Sequence, residues 1–427
     1  MIRTLTDDTL LVFLSDCHIG GDARDIFESP DDLASLFESL ESHPGPVELV
    51  LAGDFFDFLR IAEVPRGQSR ASATTSRPEY GGLFGALRRF ASEPNRRVVY
   101  LPGNHDAEVW WNREIRAELE RDGLVHELAL SYAACFESDT HGVVYCEHGN
   151  ELDESNTIRD YDDPLDTPLG HHVVTDVLPR VPSGWAAGGG NLRDVDRIFP
   201  LTSVPEWLAV RLYYVLVTQI VRWLLLPLLI LYALHALIQG GPSADVLIEL
   251  GYDLAVLLLV FGLFLVVAGR TANRLIRSSS AHAGRDDEAE MIRTTLEAGL
   301  PPPLGGAVTG DVRVFVSGHT HAPSLTLFET PDGREGAQVN SGCWLRQLQP
   351  LPARLGAPPV FVSRFVQTHV RIYRRDGAIQ VELWEHPHPA RQQLRVAERL
   401  AVAGRLPANP TAADAPRVRA RTAVGSA

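Results

Sequence analysis

Five clusters of aspartate, histidine and asparagine carry the chemistry that can be read from this chain: Asp16-Cys17-His18, Gly53-Asp54-Phe55-Phe56-Asp57, Gly103-Asn104-His105-Asp106, His148-Gly149-Asn150 and Gly318-His319-Thr320-His321. Each closes an apolar run, at residues 9–15, 49–52, 97–101, 143–147 and 312–316 respectively. In an extended Asp-x-His or His-x-His, the first and third side chains fall on one face, so both can reach the same cation. Any one cluster alone reads equally well as capping or turn residues. Five in series, all at the ends of strand-like runs, point to a shared site. Mixed imidazole, carboxylate and amide donors suit Mn, Fe or Zn better than Mg or Ca, and no thiolate in these positions argues against a purely structural zinc. Two such cations about 3.5–4 Å apart can clamp a phosphoryl oxygen and acidify a water at neutral pH.

Donors at strand ends need a sheet to hold them, and strands alternating with helical stretches imply an α/β fold. Helical spacing is clear at residues 31–40, with Leu33, Leu36, Phe37 and Leu40 on one face, and again at 83–90. Between them, residues 62–80 read as a surface loop whose Arg66, Arg70 and Arg77 are solvated or touch a substrate phosphate. After the last cluster, residues 324–329, 337–345, 370–374 and 379–384 read as strands, with Arg375-Asp376-Gly377 as a hairpin turn. The formal net charge of -15 argues against a nucleic-acid partner. Four cysteines without C-x-x-C spacing argue against a disulfide framework and favour a reducing compartment. The apolar run at residues 10–14 is too short for a signal peptide. Cys17 reads as a small packing residue.

Taken together, Asp16-x-His18, Gly53-Asp54-x-x-Asp57, Gly103-Asn104-His105-Asp106, His148 and Gly318-His319-x-His321 resemble the motifs of the calcineurin-like metallophosphoesterase superfamily. The resemblance implies a four-layer αββα sandwich with two divalent metal ions, Mn first and Fe or Zn as alternatives. It implies that Asp16, His18, Asp54 and His321 hold one ion, that Asp54 bridges, and that Asn104, His148 and His319 complete the other. His105 would be the general acid, steered by Asp106, with Asp57 supporting the site. A shared carboxylate also offsets the repulsion between two nearby dications. Residues 16–20 and 53–58 are further similar to the branch containing UDP-2,3-diacylglucosamine diphosphatases, whose characteristic members place Arg where this chain has His105.

The chain departs from a plain phosphoesterase at residues 206–270, which divide the domain into parts 1–205 and 271–388. Residues 223–238 form an almost unbroken apolar run and 254–268 a second, with a nearly apolar stretch at 207–221 upstream. Asp245, Glu249 and Asp253 lie in the loop between them, and Arg211, Arg222, Arg270, Arg274 and Arg277 flank the outer ends. A membrane-spanning helical hairpin with both ends in the cytoplasm fits that charge bias. Helices lying in the interface and a soluble dimerisation arm are the alternatives. The connector 153–205 tethers the hairpin; His171 and His172 in it read as structural. Residues 390–403 read as a short helix and the remainder to 427 as a disordered tail. The expected function is a membrane-anchored hydrolase facing the cytoplasm, acting on a phosphomonoester, phosphodiester or pyrophosphate of a small molecule or a lipid. A tethered phosphatase of soluble nucleotides or phosphoproteins, or a non-catalytic scaffold keeping the fold, are the rival readings. Oligomeric state is open.

Overall fold

The structure, a computed structural model, describes residues 2–21, 25–180, 195, 197–198, 203–238, 244–280, 311–330, 333–411 and 414–425. Its strands are β1 (Arg3–Leu5), β2 (Leu10–Leu14), β3 (Val47–Ala52), β4 (Arg96–Leu101), β5 (Glu127–Leu128), β6 (Tyr132–Phe136), β7 (Asp139–Cys146), β8 (Val312–Ser317), β9 (Ser324–Glu329), β10 (Glu335–Asn340), β11 (Trp344–Leu351), β12 (Val360–Arg375), β13 (Ala378–Glu385) and β14 (Arg417–Gly425). The helices are α1 (Pro30–Glu41), α2 (Arg70–Thr75), α3 (Gly81–Ser92), α4 (Glu108–Trp111), α5 (Arg113–Arg121), α6 (Leu169–His172), α7 (Val204–Ile220), α8 (Leu226–Ile238), α9 (Ala244–Ser280) and α10 (Val396–Ala401).

Two sheets face each other. One runs β14-β13-β12-β2-β3-β4-β5, with β11 paired to β12, and the other β1-β6-β7-β8-β10-β9. β2, β3 and β4 are parallel, as are β7 and β8. Alternation along the strands explains the continuous apolar runs. On β2, Leu11 and Phe13 point between the sheets, where they join Val50, Val99, Val144 and Val316. Leu10, Val12 and Leu14 point the other way, onto Leu33, Phe37 and Leu40 of α1 and Phe84 and Leu87 of α3. A strand buried on both faces has no polar register to show. Pro30 in the first turn of α1, with Asp31 and Asp32, suits the helix N-terminus. The outer face of the second sheet carries Ala133, Val143, Tyr145 and Phe315, packed on Phe328 and Leu152. Among the described residues, no α-helix joins that cluster, so the fourth layer of the expected αββα sandwich is not seen there.

Two expectations change. Residues 417–425, read as part of a disordered tail, form β14, antiparallel to β13 along its whole length. Alternation of arginine with Val418, Ala420, Thr422 and Val424 is an edge-strand pattern that composition hides. The nearly apolar stretch opening the insertion is not free of the domain. Trp207, Val210 and Tyr214 of α7 are buried against Leu348, Val360, Phe361 and Val362 of β11 and β12. Beyond α7 a π-helical turn at Val221–Leu225 leads into α8 one residue before Pro227. α9 then returns to the domain: Arg270 Nε donates to the Leu355 carbonyl at 3.2 Å and Asn273 Nδ2 to that of Gly356 at 3.3 Å.

Candidate metal centre

The site begins where strands stop. β2, β3, β4, β7 and β8 end at residues 14, 52, 101, 146 and 317, and every cluster begins within three residues of one of those ends. The loops stitch to one another through the backbone: Asp16 N donates to Gly53 O at 3.1 Å, His18 N to Asp54 O at 2.9 Å, and Gly318 N to His148 O at 2.7 Å. Asp16, His18, Asp54, His319 and His321 all adopt left-handed backbone, with φ from 50° to 64°. Side chains other than glycine, and to a lesser degree asparagine and aspartate, disfavour that region by about 1 kcal/mol or more each, and such strain gathers where geometry serves a site. The motif glycines admit the close packing. A Cβ on Gly53 would lie 2.3 Å from His148 Nδ1, and one on Gly103 2.2 Å from Asp54 Oδ1.

Six of the seven expected metal ligands come together, and the seventh, Asn104, sits in the turn whose His105 N donates to Asp54 Oδ1 at 2.8 Å. Asp16, His18 and His321 form one group whose nitrogen and oxygen atoms lie within 4.8 Å of each other, and Asp54, His148 and His319 form another. Asp54 lies between them: its Oδ2 is 3.7 Å from His18 Nε2 and 3.3 Å from His148 Nε2. Asp16 Oδ1 is 3.0 Å from His321 Nε2. His148 Nδ1 is held by the Ala52 carbonyl at 2.9 Å, which leaves Nε2 to face the site. Asn104 Nδ2 is 3.5 Å from Asn156 Oδ1. Asn104 Oδ1 and His148 Nε2 are buried with no hydrogen-bond partner. Donors left so in a protein interior want a cation. The cluster's electrostatics agree. Burial alone would lower the His148 pKa, yet Asp54 and Asp16 raise it to about 10. That demand for positive charge, on nitrogen and oxygen donors, fits divalent cations.

One assignment changes. Asp106, expected to steer His105, instead accepts from Gly103 N at 2.6 Å, from Phe56 N at 3.2 Å and from the Tyr100 hydroxyl. It pins the turn that presents Asn104 and His105. The carboxylate on His105 is Asp57, whose Oδ1 lies 2.9 Å from Nδ1. Burial would raise the Asp57 pKa, but His105 and Arg60, the latter with Nε 2.7 Å from Oδ2, hold it far below the carboxylate range. In return, burial works to lower the His105 pKa while Asp57 and Asp54 outweigh it and raise it. The two carboxylates thereby favour the protonated imidazole, which lines a cavity of about 430 Å³.

Three residues near the centre carried no signal in their spacing. Asp153 Oδ2 lies 3.1 Å from His319 Nε2 and accepts from Asn156 at 2.7 Å. Arg60 meets Asp57 from the turn after β3. His171, read as structural, lines the cavity beside His105, as does Arg70, which pairs with Glu108. Arg77 donates to the Gly21 carbonyl at 2.8 Å, so Arg70 and Arg77 both have structural partners. Cys17 is buried, as are the other three cysteines, all free thiols.

Residues 9–207 match the family model described as Calcineurin-like phosphoesterase. No curated protein matches the chain. The matched segment holds Asp16, His18, Asp54, Asn104, His105 and His148, and β8 returns His319 and His321 to the same donors. Residues 9–207 thus form a calcineurin-like phosphoesterase domain, which marks a hydrolase acting on phosphoester bonds.

Proposed function

We propose that this protein is a membrane-anchored phosphoester hydrolase with a dinuclear centre, and that its substrate carries a lipid part. The observation that carries the reading is the segment Gly251–Arg274 of α9: 24 residues, mean hydropathy 2.4, with its most apolar window unburied. α8 is likewise apolar, with Ile230, Leu231, Leu234, Leu237 and Ile238 exposed. A contiguous apolar surface of that kind is unfavourable in water and natural in a bilayer, which about 20 helical residues span. α8 alone is shorter than that, and the outward residues Leu212 and Leu216 of α7 extend it into the first arm of a hairpin. Both arms are fixed to the domain, one through Trp207 and Tyr214 and the other through Arg270 and Asn273. A substrate embedded in the same leaflet would meet the metal centre without leaving the membrane.

Asp16, His18 and His321 would hold one cation and Asn104, His148 and His319 the other, with Asp54 shared. Two divalent ions there, Mn by donor chemistry, would supply Lewis acidity toward the phosphoryl oxygens and an acidified water. His105, protonated against Asp57, faces the cavity and donates a proton to the departing oxygen. Elemental analysis should find two metals per chain. Asp54→Asn should lose far more metal than Asp57→Asn; near-full loading of both would remove the bridging role. The lipid part is tested with substrates of increasing acyl length in mixed micelles, where each added CH₂ gains about 0.8 kcal/mol of burial. kcat/KM should rise along the series. A flat response, with soluble nucleotides turned over better by a protein lacking the hairpin, would reject it.

A further inference from the structure

The cavity beside His105 has a chemistry of its own. Asn104, almost wholly buried and with its side-chain carbonyl lacking a hydrogen-bond partner, lines it together with His105, which marks the end where a phosphoryl group reacts. The walls also carry three aromatic residues, Phe58, Trp111 and Tyr161, and two acids, Asp163 and Asp166. Among the described lining residues the one arginine, Arg70, has its charge met by Glu108. Behind these walls the connector is strongly acidic. Residues 151–166 contain Glu151, Asp153, Glu154, Asp160, Asp162, Asp163 and Asp166 against the single base Arg159.

Aromatic faces attract cations through their quadrupole, and carboxylates at a low-dielectric rim reinforce that attraction while repelling further anions. A nucleotide, bringing a second phosphate and its charge into this wall, would be disfavoured. Resting on the phosphoesterase reading above, we propose that the cavity is the leaving-group site and that it takes an alcohol bearing an ammonium or quaternary ammonium group. In the reaction the oxygen of water joins phosphorus, the proton that this water gives up passes to solvent, from which His105 is later reprotonated, and the bond from phosphorus to the amino-alcohol oxygen breaks. His105 passes its proton to that oxygen, so a phosphodiester yields a phosphomonoester and the free amino alcohol. The volume of about 430 Å³ is ample for such a group.

The test uses the full chain in detergent with Mn²⁺ and three methyl phosphodiesters. Their second alcohols are choline, 3,3-dimethylbutanol (the same shape without charge) and 4-hydroxybutyrate. kcat/KM for the choline ester should exceed that for the neutral one by about tenfold, and the anionic ester should be slowest. Trp111→Leu and Asp163→Asn should each draw the choline-to-neutral ratio toward one. Asparagine retains the acceptor that Asp163 offers to Leu165 N at 2.9 Å, so the loop is preserved. A parent ratio of one or below, or a ratio that neither substitution moves, would overturn the proposal. Choline release from glycerophosphocholine in solution or from phosphatidylcholine vesicles would support it and identify the source. Release from neither, while bis(p-nitrophenyl) phosphate is hydrolysed, would overturn it. Failure to hydrolyse bis(p-nitrophenyl) phosphate would overturn the phosphoesterase reading and this one with it.

Discussion

His105 stands next to one aspartate in the chain and touches another. Asp57 holds its Nδ1, while Asp106 secures the turn from beneath through Gly103, Phe56 and Tyr100. The two carboxylates should therefore fail differently. Asp57→Asn leaves the backbone in place but weakens the hold on a protonated imidazole, so alkyl phosphates should turn over about 10²–10⁴-fold more slowly. p-Nitrophenyl esters, whose leaving group needs no proton, should be nearly unaffected. Asp106→Asn should instead lower the unfolding midpoint, because a buried acceptor of three hydrogen bonds is altered, at a cost of about 1–3 kcal/mol. Equal kinetic defects with unchanged melting in both would contradict this division. The difference was not legible in the sequence. Asp106 is adjacent and Asp57 is 48 residues away, and nothing in either spacing says which carboxylate folds onto the ring. Asp16, His18, Asp54 and the three later histidines were legible, because each follows an apolar run whose direction fixes where it ends.

At the level of elements, strand runs buried on both faces advertise themselves, while a helix divided between two environments does not. α7 is apolar nearly all round, which hid the fact that Trp207, Val210 and Tyr214 belong to the domain and Leu212 and Leu216 do not. Removal of residues 207–270 would strip that buried face and leave β11 and β12 uncovered, and the product should be insoluble. Excision of 222–268 keeps the face. Gly269 packs against Tyr213, where an added Cβ would lie 2.8 Å from the hydroxyl, so from Val221, eight residues further along the helix, a Gly/Ser linker has to return about 12 Å to reach it. This shortened protein should be monodisperse without detergent and hold its metals. Trp207→Ala within it should cost about 3–5 kcal/mol, read from urea unfolding. A detergent requirement that survives the excision would mean that another surface binds the membrane.

For the whole molecule, the proposed spanning hairpin would place the arginines of its outer ends in the cytoplasm. Asp245, Glu249 and Asp253, which lie in the first turns of α9 rather than in a loop, would fall on the other side. All four native cysteines are buried, so single added thiols can be followed in the natural background. Asp245→Cys should react with an impermeant maleimide in intact cells, and Arg274→Cys only after the membrane is opened. Reaction of both in intact cells would defeat the spanning hairpin. β14 bears on a different property of the molecule, its solitude. It lies along the outer edge of β13, where Ile379, Val381 and Leu383 are buried. Its own surface carries Arg417, Arg419 and Arg421, a row of like charges that discourages a further strand from joining. A chain shortened to end at Arg405 would bare the β13 edge, with its unspent N–H and C=O groups, to any second copy. Sedimentation should then show concentration-dependent self-association that the full chain lacks, although every metal ligand is retained. A segment far from the chemistry would thus determine whether the enzyme stays apart from its own kind.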